Sequence, residues 1–207
     1  STHSGGGSGP AMRDVVINDN TIRLNPKIWT DIGFAAATTY CRGISFSGGS
    51  GDEVENLSIN DNVVVYADDL GTIGSGLANL QSSGISLIRV PAKVDRTISI
   101  CGNIIRRPLC CGILALTNGA VGVKIAGNTV ERAGQAGAEQ ASDYYKSGVT
   151  IVGDASHVQI DDNNIYDDAG SPLMENGILF NATTGPHATI KNNQVRVGTG
   201  KVEVKIP

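Results

Sequence analysis

The sequence predicts an all-β solenoid of about five to six coils, each made of three short strands, and three observations carry that expectation. One phrase recurs six times, an isoleucine followed by two turn residues and an asparagine: Ile17 and Asn20, Ile59 and Asn62, Ile100 and Asn103, Ile125 and Asn128, Ile160 and Asn163, Ile190 and Asn193. A second phrase interleaves with it, a glycine leading an alternating segment: Gly43-Ile44-Ser45-Phe46, Gly84-Ile85-Ser86-Leu87, Gly112-Ile113-Leu114-Ala115, Gly148-Val149-Thr150-Ile151 and Gly177-Ile178-Leu179-Phe180. The composition agrees: 27 glycines, only 4% aromatic residues and 40% apolar residues suffice for a continuous core if it is spread along stacked coils.

Around each repeated Ile the pattern is apolar, any residue, Ile, two turn residues, Asn, any residue, apolar, as in Leu57, Ile59, Asn62, Val64 and in Val123, Ile125, Asn128, Val130. Two short strands therefore meet at a corner. The shortest coil defines the skeleton: Ile113 to Ala115 form one strand, Val123 to Ile125 the next, Ala126-Gly127-Asn128 the bend, and Thr129 to Glu131 the third. Asn-to-Asn spacings of 42, 41, 25, 35 and 30 hold the strands constant and vary the connections, as solenoids tolerate. Each strand should stack in parallel on its counterpart. Alternation points Ile44, Phe46, Ile85, Leu87, Val149, Ile151, Ile178 and Phe180 inward, with the repeated Ile and the residue two beyond each Asn. The Asn itself is expected in a left-handed backbone position, its amide bonding the neighbouring turns as a polar column. A coil burying five or six such side chains gains on the order of 10 kcal/mol gross, most of it offset by chain entropy, so a coil is stable only within the stack.

Residues 1 to 12 read as a flexible linker or cloning scar, because Gly and Ser dominate and nothing is periodic. Residues 13 to 207 read as a single elongated domain. It starts at the second strand of a coil with no capping helix before it, which suggests a fragment of a longer protein. A net charge of −4 without a basic stripe gives no support to nucleic acid as a partner. No apolar run is long enough to span a membrane, so no membrane insertion is expected. Cys41, Cys101, Cys110 and Cys111 lack zinc-type spacing and read as reduced, with a Cys41–Cys111 bridge excluded by a separation of two coils. Asn56-Leu57-Ser58 and Asn181-Ala182-Thr183 match the glycosylation pattern and are read as chance.

The phrases INDNTI, INDNVV, ICGNII and IAGNTV resemble the repeats of the pectate-lyase-like superfamily, over nearly all of residues 14 to 197. That resemblance implies a right-handed parallel β-helix, a polysaccharide partner, and a place outside the cell or on a virion surface. It also implies a homotrimer as an alternative to a single chain, since tailspike β-helices are three-chain bundles. The catalytic phrases of the best-known branches are missing: no Gly-His-Gly, Asn-Thr-Asp or Arg-Ile-Lys of polygalacturonases, and no Trp and Asp-His pattern of pectate lyases. The repeat specifies fold strongly and chemistry weakly.

The long connections, residues 24 to 42, 66 to 83, 107 to 111, 132 to 147 and 167 to 176, all leave after the third strand and should pile up along one edge. Aromatics gather there or at its border: Trp29, Tyr40, Tyr66, Tyr144, Tyr145 and Tyr166. Sugar rings stack on such residues, so Trp29, Tyr40, Tyr144, Tyr145 and Tyr166, with Asp68 and Asp69, are the candidate carbohydrate-binding set. Asp167, Asp168 and Glu175 are the candidate catalytic acids and bases for glycoside cleavage. The competing reading makes these acids solvated turn residues and the aromatics loops packing on their own coil.

The outward residues of the glycine-led strands, Ser45, Ser86, Leu114, Thr150 and Leu179, cannot titrate near neutrality. A neighbouring subunit covering them would account for that face as well as inactivity would. His157 and His187 share a register, which puts their rings roughly 5 Å apart on successive coils, yet exposed polar residues account for them better than a metal site does. Asp19 and Asp61 share another column, where calcium could bridge them but water suffices. No metal and no cofactor are expected. Arg89, Lys93, Arg96, Lys124 and Lys146 could supply a lyase base but form no motif. The leading expectation is a polysaccharide-recognising segment with cleavage left open. A structural rod comes second and a uronate lyase or epimerase third.

Overall fold

A computed structural model describes residues 2–3, 12–31, 41–47, 54–71, 82–90, 97–137, 145–182 and 188–206. The chain is all-β apart from one short helix, α1 (Pro26–Asp31), and every strand pairing among these residues is parallel. The strands recur in sequence-distant repeats, an arrangement compatible with a β-helix-like solenoid.

Three families of strand make up each repeat. The Ile family comprises β2 (Met12–Asn18), β5 (Val54–Asn60), β8 (Ile98–Cys101), the later parts of β10 (Ile113–Ala126) and β12 (Ser147–Asp161), and β15 (Ala188–Lys191). Ile17, Ile59, Ile100, Ile125, Ile160 and Ile190 pair in one unbroken register. The family after the Asn bend is β3 (Thr21–Leu24), β6 (Val63–Tyr66), β9 (Ile104–Arg106), β11 (Thr129–Glu131), β13 (Asn164–Tyr166) and β16 (Gln194–Arg196), which form a separate six-stranded sheet. The glycine-led family is β4 (Ile44–Ser47), β7 (Ile85–Val90), the first parts of β10 and β12, β14 (Asn176–Ala182) and β17 (Val202–Lys205). β1 (Thr2–His3), inside the segment read as linker, adds a parallel strand against Phe46 and Ser47.

In two repeats the expected short strands are not separate. β10 and β12 run 14 and 15 residues without a break, so the glycine-led and Ile families join into one 11-stranded sheet. Their connections are short enough to stay hydrogen-bonded to each other, with one register shift between Asn118 and Ala120 absorbing the difference in length.

The inward column is aliphatic throughout the middle repeats. Ile59, Ile85, Leu87, Ile100, Ile105, Ile113, Val123, Ile125, Val130, Val149, Ile151, Ile160 and Ile165 have no exposed surface. The leading glycines are dictated by this packing. A Cβ on Gly43, Gly84, Gly112, Gly148 or Gly177 would come closer than 3.0 Å both to a carbonyl of the next repeat and to a core side chain, respectively Val64, Ile105, Val130, Ile165 and Val195. None of the five has a left-handed φ, so close approach alone selects glycine here.

The six asparagines form a continuous ladder. Each donates its Nδ2–H to the Oδ1 of the next, at 2.9, 2.9, 2.9, 2.9 and 2.8 Å from Asn20 through Asn62, Asn103, Asn128 and Asn163 to Asn193. The same oxygen accepts the preceding Asn's backbone N–H at 3.0 to 3.1 Å. Asn62, Asn103, Asn128 and Asn163 are fully buried, so the ladder satisfies polar groups that water cannot reach. The left-handed residue is the one before each Asn, and not the Asn as the sequence suggested: Asp19, Asp61, Gly102, Gly127, Asp162 and Asn192 have φ of 58, 55, 67, 65, 56 and 55°. Asp, Asn and Gly are the residues that tolerate this conformation. The Asp19 and Asp61 column thus has a backbone cause.

Candidate functional site

The six-stranded sheet turns one residue of each pair inward and the next outward. Because the residue two beyond each Asn fills the core, the residue three beyond it faces out. This places Arg23, Val65, Arg106, Glu131, Tyr166 and Arg196 side by side in a single register. The members are linked. Arg106 Nε lies 3.3 Å from Glu131 Oε2, the Tyr166 hydroxyl donates to that oxygen at 3.4 Å, and the Arg196 guanidinium sits 5.7 Å from the Tyr166 ring centre. Partial burial, and then the Glu131 carboxylate, pushes the Tyr166 hydroxyl above its ordinary pKa, so it stays a protonated donor at neutral pH.

The chain then leaves the sheet through Arg107 and Arg132, both left-handed at φ 55 and 51°. A side chain with a Cβ pays roughly 1–2 kcal/mol there. Arg107 donates to the Tyr66 carbonyl at 2.7 Å and is ion-paired with Asp68, reaching back one repeat. Arg132 grips Asp168 of the following repeat through Nε at 2.9 Å and Nη2 at 2.8 Å. Arg23, Asn25, Val65, Asp68 and Arg107 line a groove of about 290 Å³ beside this edge. Five of the chain's nine arginines, Arg23, Arg106, Arg107, Arg132 and Arg196, stand on this one sheet or its margin. None was among the cations singled out from the sequence. The signal was nonetheless present, since Arg23, Arg106, Glu131, Tyr166 and Arg196 each follow a ladder Asn by three.

The candidate acids lie along the same edge, each already engaged. Asp167 is buried, and its carboxylate accepts backbone N–H groups from Leu173 at 2.8 Å, Met174 at 2.9 Å and Ala169 at 3.3 Å, closing the 167–174 turn. Asp168 is exposed, and the hydrogen bond from Arg132 holds its carboxyl below the ordinary value, opposite to the shift that a general acid needs. Glu175 is paired with Lys201 at 2.6 Å. Asp69 accepts the Gly71 N–H at 3.0 Å.

The aromatics separate. Tyr66, expected at the edge, is fully buried, and its hydroxyl lies within hydrogen-bond distance of the carbonyls of Cys41 at 2.9 Å, Ser83 at 3.0 Å and Ser82 at 3.3 Å. Tyr145 is half-buried against the core. Trp29 falls in α1, while Tyr40 and Tyr144 lie outside the described residues. Tyr166 is the candidate aromatic that the structure places on the charged face.

Two further expectations change. Ser45, Ser86, Leu114, Thr150 and Leu179, read as an exposed face awaiting a subunit, are at most 5% exposed within the single chain. Their burial removes the premise on which that face called for a trimer. His157 has φ 54° and shares its column with Asp14, Asn56 and Gly122, also left-handed at 52, 54 and 76°. Histidine is among the residues tolerated there, so a second bend explains it. His187 lies outside the described residues. Among the described residues no group of three or more His, Cys, Asp or Glu is placed to hold a metal ion. None of the four cysteines is in a disulfide.

A second groove, of about 520 Å³, crosses the outer face of the Ile family over Lys124, His157, Gln159 and Thr189, where Gly122 leaves a gap. Comparison of the chain with protein-family models, curated proteins and solved structures finds no match.

Proposed function

We propose that this chain is a right-handed parallel β-helix of the pectate-lyase-like kind that binds an acidic polysaccharide along the Arg23–Arg196 column, outside the cell or on a virion surface. The observation that supports the reading is the register itself. Parallel strands repeat roughly every 4.8 Å, so the column offers cations, a hydroxyl donor and an aromatic face at regular steps to an extended polymer. Arginine presents a planar fork matched to carboxylate, and Tyr166 offers a ring for sugar stacking. The arginines keep their charge at every physiological pH.

Binding of the whole chain to polygalacturonate or alginate, measured by calorimetry at low and high salt with dextran as the neutral control, tests the proposal. Arg106→Ala with Arg196→Ala should weaken uronate binding by at least about tenfold, one to two charge-assisted hydrogen bonds' worth. Absence of binding at millimolar sugar, or equal binding to dextran, would remove it.

A structural rod is the second reading, favoured by one observation: Asp167, Asp168 and Glu175 are all committed to partners within the chain. Under that reading the charged column serves solubility, and the Arg106→Ala, Arg196→Ala pair changes nothing measurable with any glycan. Cleavage would show as new reducing ends, or as conjugated products for a lyase.

A further inference from the structure

The outer face of the Ile family carries a groove that the arginine column does not use. Its floor is a single register, in which Lys124 pairs with Gln159 and Gln159 with Thr189, while Thr97, Gly122 and His157 form one side. Parallel strands lie roughly 4.8 Å apart, so the groove spans about 14 Å along the stack from the repeat of Thr97 to that of Thr189. Its volume of about 520 Å³ is that of a site for a small ligand, and Thr97, Lys124, His157, Gln159 and Thr189 are all exposed along it.

The backbone does not force the gap at Gly122. That residue has φ 76°, and the equivalent positions Asp14, Asn56 and His157 are left-handed too, at 52, 54 and 54°. Asp, Asn and His serve the same bend in other repeats, so the conformation admits a side chain. Glycine at 122 differs from them in leaving room beside Lys124.

The charge in the groove is uncompensated. Lys191 lies 3.9 Å from Asp161 and Lys201 2.6 Å from Glu175, whereas Lys124 has neither an ion pair nor a hydrogen bond among the described residues. Among those residues, no carboxylate and no aromatic ring lines the groove. One ammonium flanked by an amide and hydroxyls suits a ligand with a negative charge and several hydroxyl groups, held by hydrogen bonds and not by stacking on a ring.

We propose that this groove is a second glycan site, holding a short acidic oligosaccharide along the stack. A uronate carboxylate sits on Lys124 Nζ, and sugar hydroxyls meet Gln159, Thr189 and Thr97. The choice of an acidic sugar rests on the function proposed above; the groove itself does not. The asparagine bend separates the two faces, so each can be altered by substitution without touching the other.

Backbone amide shifts of the isotope-labelled whole chain, recorded by NMR during titration with trigalacturonate, report the two faces separately. Millimolar ligand should move the amides of Gly122, Lys124, Gln159 and Thr189, and Arg106→Ala with Arg196→Ala should leave those movements in place. Lys124→Gln should weaken the groove affinity roughly threefold to fivefold, the loss of one exposed charge pair. Gly122→Asn should abolish binding there by filling the gap. Lys124→Gln changes an exposed side chain, so it carries the test even if Gly122→Asn fails to fold. Movement of the column amides alone would overturn this inference and leave the arginine column standing. Movement of the groove amides alone would do the reverse, and no movement anywhere would remove both. Groove shifts reproduced by inorganic phosphate, or unchanged in Lys124→Gln, would mark a nonspecific cation and overturn the second site as well.

Discussion

The six-stranded sheet begins at the asparagine bend and ends at the arginine margin, and its two sides are built under different rules. At the bend every repeat carries the same residue, because the partner of each Asn is the Asn one repeat away. At the margin the corresponding residues are Tyr66, Arg107, Arg132 and Asp167, each with a different local arrangement. A side chain that bonds its own kind must be repeated to be satisfied. One that bonds a nearby carboxylate or turn need not be. Repetition therefore identifies what holds the stack together, and its absence identifies where the chain is free to vary its chemistry.

The widest separation between the two sides should appear in alkali. Cys101, at the bend, is only half-buried, whereas Cys41 and Cys111, at the return from the margin, are pushed by burial up to about 12 and about 11. The fold favours the neutral thiols, so their contribution is fully present below the unfolded value near 9. It is lost as the pH rises toward the folded values, because the unfolded chain then gives up protons that the fold retains. Unfolding free energy should fall above pH 9 by up to about 1.4 kcal/mol per pH unit for each thiol. Urea titrations from pH 7 to 10.5, with Cys41→Ala and Cys111→Ala as the reference, read the slope. An unchanged slope in the double variant would show that these thiols are not shielded.

Within the ladder, position should matter more than residue type. Asn103→Ala leaves the buried backbone N–H of Asn62 without its acceptor, takes the amide donor from the Ile59 carbonyl, and should cost about 3 kcal/mol. Asn20→Ala, at the exposed end, removes one amide donor from Asn62 Oδ1, which keeps the backbone N–H of residue 20, and should cost about 1 kcal/mol or less. Urea midpoints measured on both variants give the ratio. Equal losses would mean that the ladder acts as separate bends and not as a continuous column.

The sequence disclosed the bend and concealed the margin for the same reason. Ile59, Asn62 and Val64 repeat because stacking forces them to, so strand register, core and ladder could be placed by counting. The left-handed position was misplaced by one residue because Asp19, Asp61, Gly102 and Asn192 differ in type while sharing a φ. Counting types does not see a shared conformation. The burial of Leu114 and Leu179 was invisible because alternation along a strand tells which face a residue takes and not whether that face meets water. Tyr66 read as an edge aromatic, yet its ring occupies the interior, with three carbonyls around its hydroxyl. The arginine column was present in the sequence as the third residue after each Asn, masked by Val65 and Glu131 interrupting the charge.

The smallest expected effect concerns the pair that looks most like a site. Asp168 is fully exposed, and Arg132 holds its carboxyl below the ordinary value. A depressed carboxyl contributes stability above its unfolded pKa and loses it as the pH falls through the folded one. At full exposure, salt and water screen the pair, so Asp168→Asn should leave the urea midpoint at pH 7 unchanged within error. Its consequence should lie in binding. The substitution removes the charge that occupies Arg132, freeing the guanidinium for a uronate carboxylate, and affinity for polygalacturonate should rise a few-fold while dextran stays inert. If affinity falls instead, the Asp168 carboxylate itself contacts the polymer, accepting hydrogen bonds from sugar hydroxyls, and the margin recognises glycan through its acids as well as its arginines.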